Sequence, residues 1–386
     1  MESLNASGFS VDLRSVGENI STTECLLRRE DGRHSRGRGK GIGDQSLASA
    51  MFEAVEHFFY EHEDKTAISE EMRFDPVDTR HHGHYHLSSP DLSRFIRSEY
   101  APLSCLTFEG LNEAGSISYP AILTDPKFIP PTKAEADWIE ESGLYRYSSN
   151  SGTASGRSRS EALLHGVLEV IERDAVSLLL VRSVLRREAY PMRRIAQESL
   201  PAHIQALIHV ASAECGGEIS VWDITSDVEL PAALCQLAIG ELRFYGSGAS
   251  LFAGYALERA ILEAVQVFHI QKHFGPWLQI KRRVDIEAMS LMQRCNLEGG
   301  HFFPRGGEVI TEFNPKSSEV EKTGIEQQIQ LICSALKKRG IGVFAREIAS
   351  EGFNVHQVIA PRLERCFLLS HGLPVAPSHR GKVAAN

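Results

Sequence analysis

A mixed α/β fold, with helices laid against more than one sheet and no P-loop, follows from three observations. Stretches of helical period alternate along the chain with short runs of period-two apolar residues, so helices and strands are interleaved. The composition is 42% hydrophobic and 24% charged over 386 residues, an ordinary globular balance. No sequence period recurs, which excludes solenoids and propellers.

The elements follow in order. Residues 1–30 read as one or two strands and a short helix. Residues 31–43 are basic and Gly-rich and read as a loop, followed by a helix over 45–61. Residues 62–90 are polar; their His81, His82, His84 and His86 fit an exposed loop better than a metal site. Over 120–131 a strand runs into a Pro-rich loop, and 148–160 is an irregular Ser/Gly/Arg stretch that feeds a long helix over 161–187. Strands are expected at 219–224, 233–239 and 242–245, then a small-residue loop over 246–254 and a third helix over 255–274. Residues 276–320 read as peripheral. Gly340 ends an amphipathic helix over 325–339, late strands follow at 341–345 and 355–359, and the tail after Leu373, with Pro374 and Pro377, reads as extended.

Several function classes drop out early. A net charge of −9 disfavours a nucleic-acid binder that works by bulk electrostatics. No apolar run is long enough to span a membrane, and the first residues lack the pattern of a secretion signal. Cys25, Cys105, Cys215, Cys235, Cys295, Cys333 and Cys366 stand far apart without a CxxC pair, which argues against a disulfide framework and a zinc ribbon. Free thiols point to the cytoplasm, each cysteine being read as buried and inert. Trp138, Trp222 and Trp277 are read as core or interface, and His57, His165 and His269 as packed or hydrogen-bonded helix residues.

One local pattern occurs three times. Small, apolar, apolar, Glu, apolar, apolar, then Glu or Gln appears as Ala50 to Glu56, Gly166 to Glu172 and Ala260 to Gln266. The i, i+3 spacing puts Glu53 with Glu56, Glu169 with Glu172, and Glu263 with Gln266 on one face each. The neighbours are apolar almost all round, so these carboxylates are expected in low-dielectric surroundings, where they need cations. Arg173 and Arg259 supply two. An oxygen-rich, sulfur-free set suits Mg²⁺ together with phosphate oxygens. Small-residue loops at 36–43, 149–158 and 246–254 precede the three helices and fit backbone contacts to phosphates, although none is a GxxxxGK[ST] loop.

From Ser149-Asn150-Ser151-Gly152 through Glu161 to Glu169-x-x-Glu172-Arg173, the chain strongly resembles the YcaO family. Gly39-Lys40-Gly41 with Ser49, Glu53 and Glu56 forms a second matching block, and Arg259 with Glu263 and Gln266 a third; Val358 to Pro361 matches more loosely. The resemblance covers residues 36 to 365. It implies an ATP-binding fold distinct from P-loop and kinase folds, with ATP and Mg²⁺ as cofactors. Glu53, Glu56, Glu161, Glu169 and Glu172 would be metal or metal-shell ligands. Ser49, Arg173, Arg259 and Gln266 would contact the nucleotide, Glu263 would support the site, and the two arginines would stabilise charge; no single catalytic base is assigned.

The implied activity is activation of backbone amides in a ribosomally made peptide, foremost cyclodehydration of Cys, Ser or Thr to azolines in a bacteriocin-like pathway. Thioamide formation, and a non-catalytic peptide-binding role on the same fold, are the alternatives. Residues 1–35 read as an N-terminal extension, 36–370 as the YcaO-type domain and 371–386 as a Pro-containing tail. The implied partners are a precursor peptide, a separate leader-binding protein and a second copy of the chain. Three departures stand out. Lys40 sits one residue nearer to Ser49 than the family spacing, Arg157 replaces a small polar residue, and the tail lacks a terminal PxPxP.

Overall fold

Strands Phe9–Val16 (β1), Ile20–Arg29 (β2) and His34–Ile42 (β3) form one antiparallel sheet, Leu13 opposite Cys25 and Cys25 opposite Gly37. The computed structural model describes residue 4 and residues 7–63, 103–274, 289–315, 323–350 and 352–383. The expected loop over 31–43 is therefore largely strand, and its glycines explain why. Arg36, Arg38 and Lys40 alternate with Gly37, Gly39 and Gly41, the period of a strand. Helix Gln45–Glu61 (α1), where the spacing places it, lies directly on the glycine face. A Cβ on Gly39 would stand 2.1 Å from the backbone nitrogen of Ala50, and one on Gly37 2.2 Å from that of Ala54. Glycine here permits close approach of helix to strand rather than flexibility.

Cys105–Gly110 (β4), Ser116–Pro120 (β5), Thr153–Gly156 (β6), Phe344–Ala349 (β14) and Asn354–Ile359 (β15) make a second, antiparallel sheet in the order β5-β4-β14-β15-β6. Between β5 and β6 runs helix Lys133–Ser142 (α2), which the sequence reading left out. Thr132 caps it by accepting from the Glu135 N–H, and Gly143 closes it at φ 68°.

Helix Arg159–Leu180 (α3) is capped by the Ser158 hydroxyl and continues into a π-turn over Val181–Leu185, so the expected 161–187 helix starts and ends earlier. It is buried almost all round, as its composition requires: Val167, Ile171 and Leu180 pack with Trp222, Leu234, Tyr245, Ile332 and Val358 in the largest core.

Met192–Ile195 (β7), Glu218–Asp223 (β8), Ala232–Ile239 (β9), Leu242–Ala249 (β10) and Glu308–Thr311 (β13) form the third sheet, ordered β10-β9-β8-β7-β13. Only the β7–β13 pair is parallel. The region expected to be peripheral thus contributes an edge strand to a main sheet. It also holds a small hairpin of Cys295–Asn296 (β11) and His301–Phe302 (β12).

Helices Ala202–Cys215 (α4) and Ala253–His269 (α5) cover one face of that sheet. The first four residues of the small-residue loop expected over 246–254 are the end of β10, and the last two begin α5. A Cβ on Gly246 would meet the Ala260 oxygen and Ala264 nitrogen at 2.3 Å, and one on Gly248 the Ala256 oxygen at 2.4 Å. The amphipathic helix is Ile325–Lys338 (α6).

The expected strand at 341–345 begins later, at Phe344, because Asn112 and Leu111 engage Ile341 and Val343 across a loop. The tail is not extended throughout: His379–Val383 (α7) is a short helix. All seven cysteines are buried and free, and burial pushes the thiols of Cys105, Cys215 and Cys295 up to about 12. His57 bonds the Arg36 carbonyl at 2.7 Å and His269 the Thr22 hydroxyl at 3.0 Å, as packed residues. Trp222 is core. The histidines at 81–86 and Trp277 lie outside the described residues.

Candidate functional site

Each signature helix is pressed against a glycine-bearing strand, and this brings the polar faces of all three together. Strand β3 lies at the edge of its sheet, with α1 on its glycine face and α5 in contact beside it. Across that edge the Lys40 ammonium donates to Glu263 on α5 at 2.6 Å. The Gln266 amide donates to the Arg38 carbonyl at 2.6 Å. Lys40, whose spacing departs from the family's, thus has a defined partner.

On α3, Glu169 accepts from the Gly152 backbone N–H at 3.2 Å and lies 3.6 Å from Arg173. Glu172, almost fully buried, accepts from the Ser247 hydroxyl on β10 at 2.7 Å and lies 4.0 Å from Arg259 on α5. Arg173 also stacks over the Phe367 ring at 5.4 Å. The sequence reading missed the Ser247 hydroxyl and the Gly152 N–H. Both belong to the small-residue stretches it assigned to phosphates, and both serve carboxylates instead.

The electrostatics show three helices acting on one another. Burial pushes the Glu56 carboxyl well above its ordinary range, and Glu169 and Glu53 push it further. Burial also raises Glu53, against the pull of His57, the Arg38 backbone N–H and Lys40. Glu169 is raised by burial, with Arg173 opposing and Glu172 reinforcing. Glu263 is the exception: burial would raise it, but Lys40, Arg173 and Arg259 together hold it below the usual value. The Glu263 end of the site is therefore cation-rich, Glu53 and Glu169 are raised by burial in spite of nearby cations, and Glu56 is raised by burial and by two neighbouring carboxylates.

Two observations test whether Mg²⁺ and a triphosphate fit. The Nε atoms of Arg173 and Arg259 are buried without a hydrogen-bond partner, on side chains that face the carboxylates. Buried donors of this kind call for an anion with acceptor oxygens. Among the described residues no three acidic, His or Cys side chains form a complete metal cage. Mg²⁺ does not need one, since it takes one or two carboxylates and fills its shell with phosphate oxygens and water. The residues fit a Mg²⁺–nucleotide pair better than a bare ion.

Two predicted residues lie nearer the N-terminal ends of their helices. Glu161 accepts from the Arg157 N–H at 2.8 Å, and its own N–H donates to Ser158. It is occupied in capping α3, two helical turns before Glu169, roughly 12 Å along the axis. Arg157 supplies a backbone N–H to that cap. Ser49 lies one turn before Glu53 on the same face of α1, partly buried.

Comparison with known proteins bears directly on this arrangement. The family described as YcaO cyclodehydratase, ATP- and Mg²⁺-binding, matches residues 38–364. An uncharacterized protein of Methanothermobacter thermautotrophicus is 28% identical over 349 residues, 87% of this chain and 83% of that one. The structure of YcaO from Methanopyrus kandleri bound with AMPPCP and Mg²⁺ superposes at a TM-score of 0.63 with 17% identity, covering 97% of this chain and 91% of that one. A heterocyclase in complex with substrate and cofactor gives 0.62 and 17% over 93% of this chain and 51% of its own. The Escherichia coli microcin synthetase McbBCD complex gives 0.54 and 14%, covering 92% and 88%. With a family match spanning most of its length and with the side chains of three signature helices brought together, the chain belongs to the YcaO family.

Proposed function

We propose that this protein uses ATP and Mg²⁺ to activate backbone amides of a ribosomally made peptide, and that the product is an azoline formed at Cys, Ser or Thr. The observation that carries this reading is the convergence of buried, raised carboxylates with buried guanidinium Nε atoms that lack a hydrogen-bond partner. An amide oxygen is a poor leaving group, and transfer of a phosphoryl group to it makes it a good one. The side-chain thiol or hydroxyl gives up its proton and adds to the preceding carbonyl carbon, the oxygen takes the γ-phosphoryl as ADP leaves, and the C–O bond then breaks to release phosphate while the amide nitrogen loses its proton and forms the ring C=N bond. Such a step needs positioning and charge neutralisation more than a protein nucleophile.

Mg²⁺, when bound, neutralises the phosphate oxygens. Glu53, Glu56, Glu169 and Glu172 would hold it, and Glu161 would act only from the edge. Arg173 and Arg259 would direct their Nε–H donors at the transferring phosphoryl group. Glu263 fixes Lys40 at the rim, and Gln266 pins α5 to the β3 edge; Ser49 would contact the nucleotide from α1. Residues 36–370 make up the catalytic unit in this reading. A separate protein would present the peptide, a division of labour supported by the McbBCD complex with pro-MccB17 bound, and the active form would be a homodimer.

The test is the intact mass of a precursor peptide after reaction with the full chain, its partner protein, ATP and Mg²⁺. Azoline formation removes the mass of one water per ring. An unchanged mass contradicts amide activation. Replacement of oxygen by sulfur assigns the same site to thioamide formation, and a mass gain from a joined fragment indicates ligation.

A further inference from the structure

Arg259 has a second side that the reaction above leaves unused. Past it, toward the first turns of α5 and α3, lies a cavity of about 680 Å³ to which Arg259 itself contributes a wall. Leu164, Leu168, Phe252, Tyr255 and Phe313 give it an apolar and aromatic lining, with His203 at one margin. Tyr255 is 42% exposed, a large side chain left open to an adjacent void. The polar residues assigned to the nucleotide, Ser49 and Gln266, belong to α1 and to the opposite half of α5. The cavity is thus contiguous with the phosphoryl end of the site and not with the residues assigned to the rest of the nucleotide.

The third sheet leads to the same place. Its only parallel pair, β7 and β13, runs into 3₁₀ residues Gln197–Ser199 before Pro201 and His203, and into Phe313, whose N–H is tied to the Ser199 hydroxyl at 2.9 Å. Among the described residues β13 is an edge strand, and its Val309 and Ile310 are 43% and 65% exposed. An edge of this kind recognises an extended chain through main-chain hydrogen bonds whatever its sequence, while pockets at the end of the strand select side chains.

We propose that this cavity receives an apolar or aromatic side chain of the peptide substrate, next to the amide that is modified, with the edge of β13 guiding the extended backbone toward Arg259. The inference rests on the amide-activation reading. It adds the substrate class: the site prefers a large apolar residue beside the modified position and disfavours an acidic one.

Gly254 allows a direct test. It lines the cavity, it is not at positive φ, and a Cβ there would meet only the His203 ring at 3.4 and 3.6 Å. Gly254→Trp fills the space, Gly254→Ala does not, and His203→Trp fills it from the neighbouring, exposed position should the first variant fold poorly. Two affinities are measured on the full chain: Mg²⁺–AMPPCP by calorimetry, and N-acetyl-Xaa-Cys-amide peptides, with Xaa as Phe, Leu, Gly or Asp, by saturation-transfer NMR. In the native protein the Phe and Leu peptides should bind about tenfold or more tighter than the Gly and Asp peptides. Gly254→Trp or His203→Trp should erase that preference with AMPPCP affinity changed by no more than about twofold, and Gly254→Ala should preserve both. A preference that survives both Trp variants, no preference in the native protein, or loss of AMPPCP affinity in place of peptide affinity overturns the cavity assignment. Failure of the native protein to bind Mg²⁺–AMPPCP overturns the ATP reading instead.

Discussion

Glu56 faces two other carboxylates, Glu53 and Glu169, in a cleft that burial has already made costly for charge. All three carboxyls are raised above their ordinary values. A raised pKa means that the folded chain holds its proton more tightly than the unfolded chain. These groups therefore favour folding below the ordinary carboxyl range, and that contribution is lost as pH climbs through the raised values. Without Mg²⁺, thermal stability should fall over that interval, and Glu56→Gln should flatten the fall. The same variant should stabilise the metal-free protein at neutral pH by about 1 kcal/mol, the usual size of a relieved functional-site conflict, while weakening Mg²⁺–nucleotide binding. A melting curve with and without Mg²⁺–AMPPCP checks both halves. Glu169→Gln or Glu172→Gln should lower peptide modification by about a hundredfold or more without unfolding the chain, read by product mass and circular dichroism. The pairing of these glutamates was legible because i, i+3 spacing in an apolar helix has few other uses. The part Glu161 plays in capping α3 was not, because a metal ligand and an N-terminal cap ask for the same residue at the start of a helix.

At the scale of elements, the three strand–helix contacts set the geometry of the cleft. Gly39→Ala would drive a Cβ to 2.1 Å from backbone atoms of Ala50 and Ser46, neither of which can rotate away. Strand β3 and helix α1 must then separate, carrying Lys40 away from Glu53. The expected cost is about 2 kcal/mol or more in urea unfolding, with loss of nucleotide affinity, and Gly246→Ala should behave alike on β10 and α5. Gly240, in a turn with open space around it, should lose only about 1 kcal/mol on replacement by Ala, through its φ of 56°. Helix α1 could be read from sequence because its apolar period runs unbroken to Glu61. The glycine strands could not, because basic residues alternating with glycine look like a phosphate loop until the period-two pattern is weighed. Helix α4 was missed although Ile204, Leu207, Ile208 and Ala211 recur at helical spacing between Pro201 and Gly216; the histidines and polar residues among them blur the stripe.

Across the whole molecule, the C-terminal segment is fastened behind the site helix. Arg380 donates to both oxygens of Asp174 at 2.7 Å and to Asp227 at 2.7 and 3.1 Å, while Glu364 accepts from Ser378 and Gly381. Asp174 is fully buried and directly follows Arg173. Arg380→Ala strands a buried carboxylate and should cost about 3 kcal/mol in urea unfolding. Nothing in the tail's composition announced this, because its partner residues lie far away in the chain. The fold class was legible in the alternation of periods; the order of the sheets was not, since pairing joins β14 to β4 and β13 to β7 over long separations. The central claim is that side chains from α1, α3 and α5 bind one Mg²⁺–nucleotide. Its most direct test is calorimetry of Mg²⁺–AMPPCP against the native chain and Glu53→Gln, Glu172→Gln and Glu263→Gln, one variant from each helix. The account predicts that each variant retains its fold and loses affinity by about tenfold or more. Native binding left undiminished in all three would contradict it.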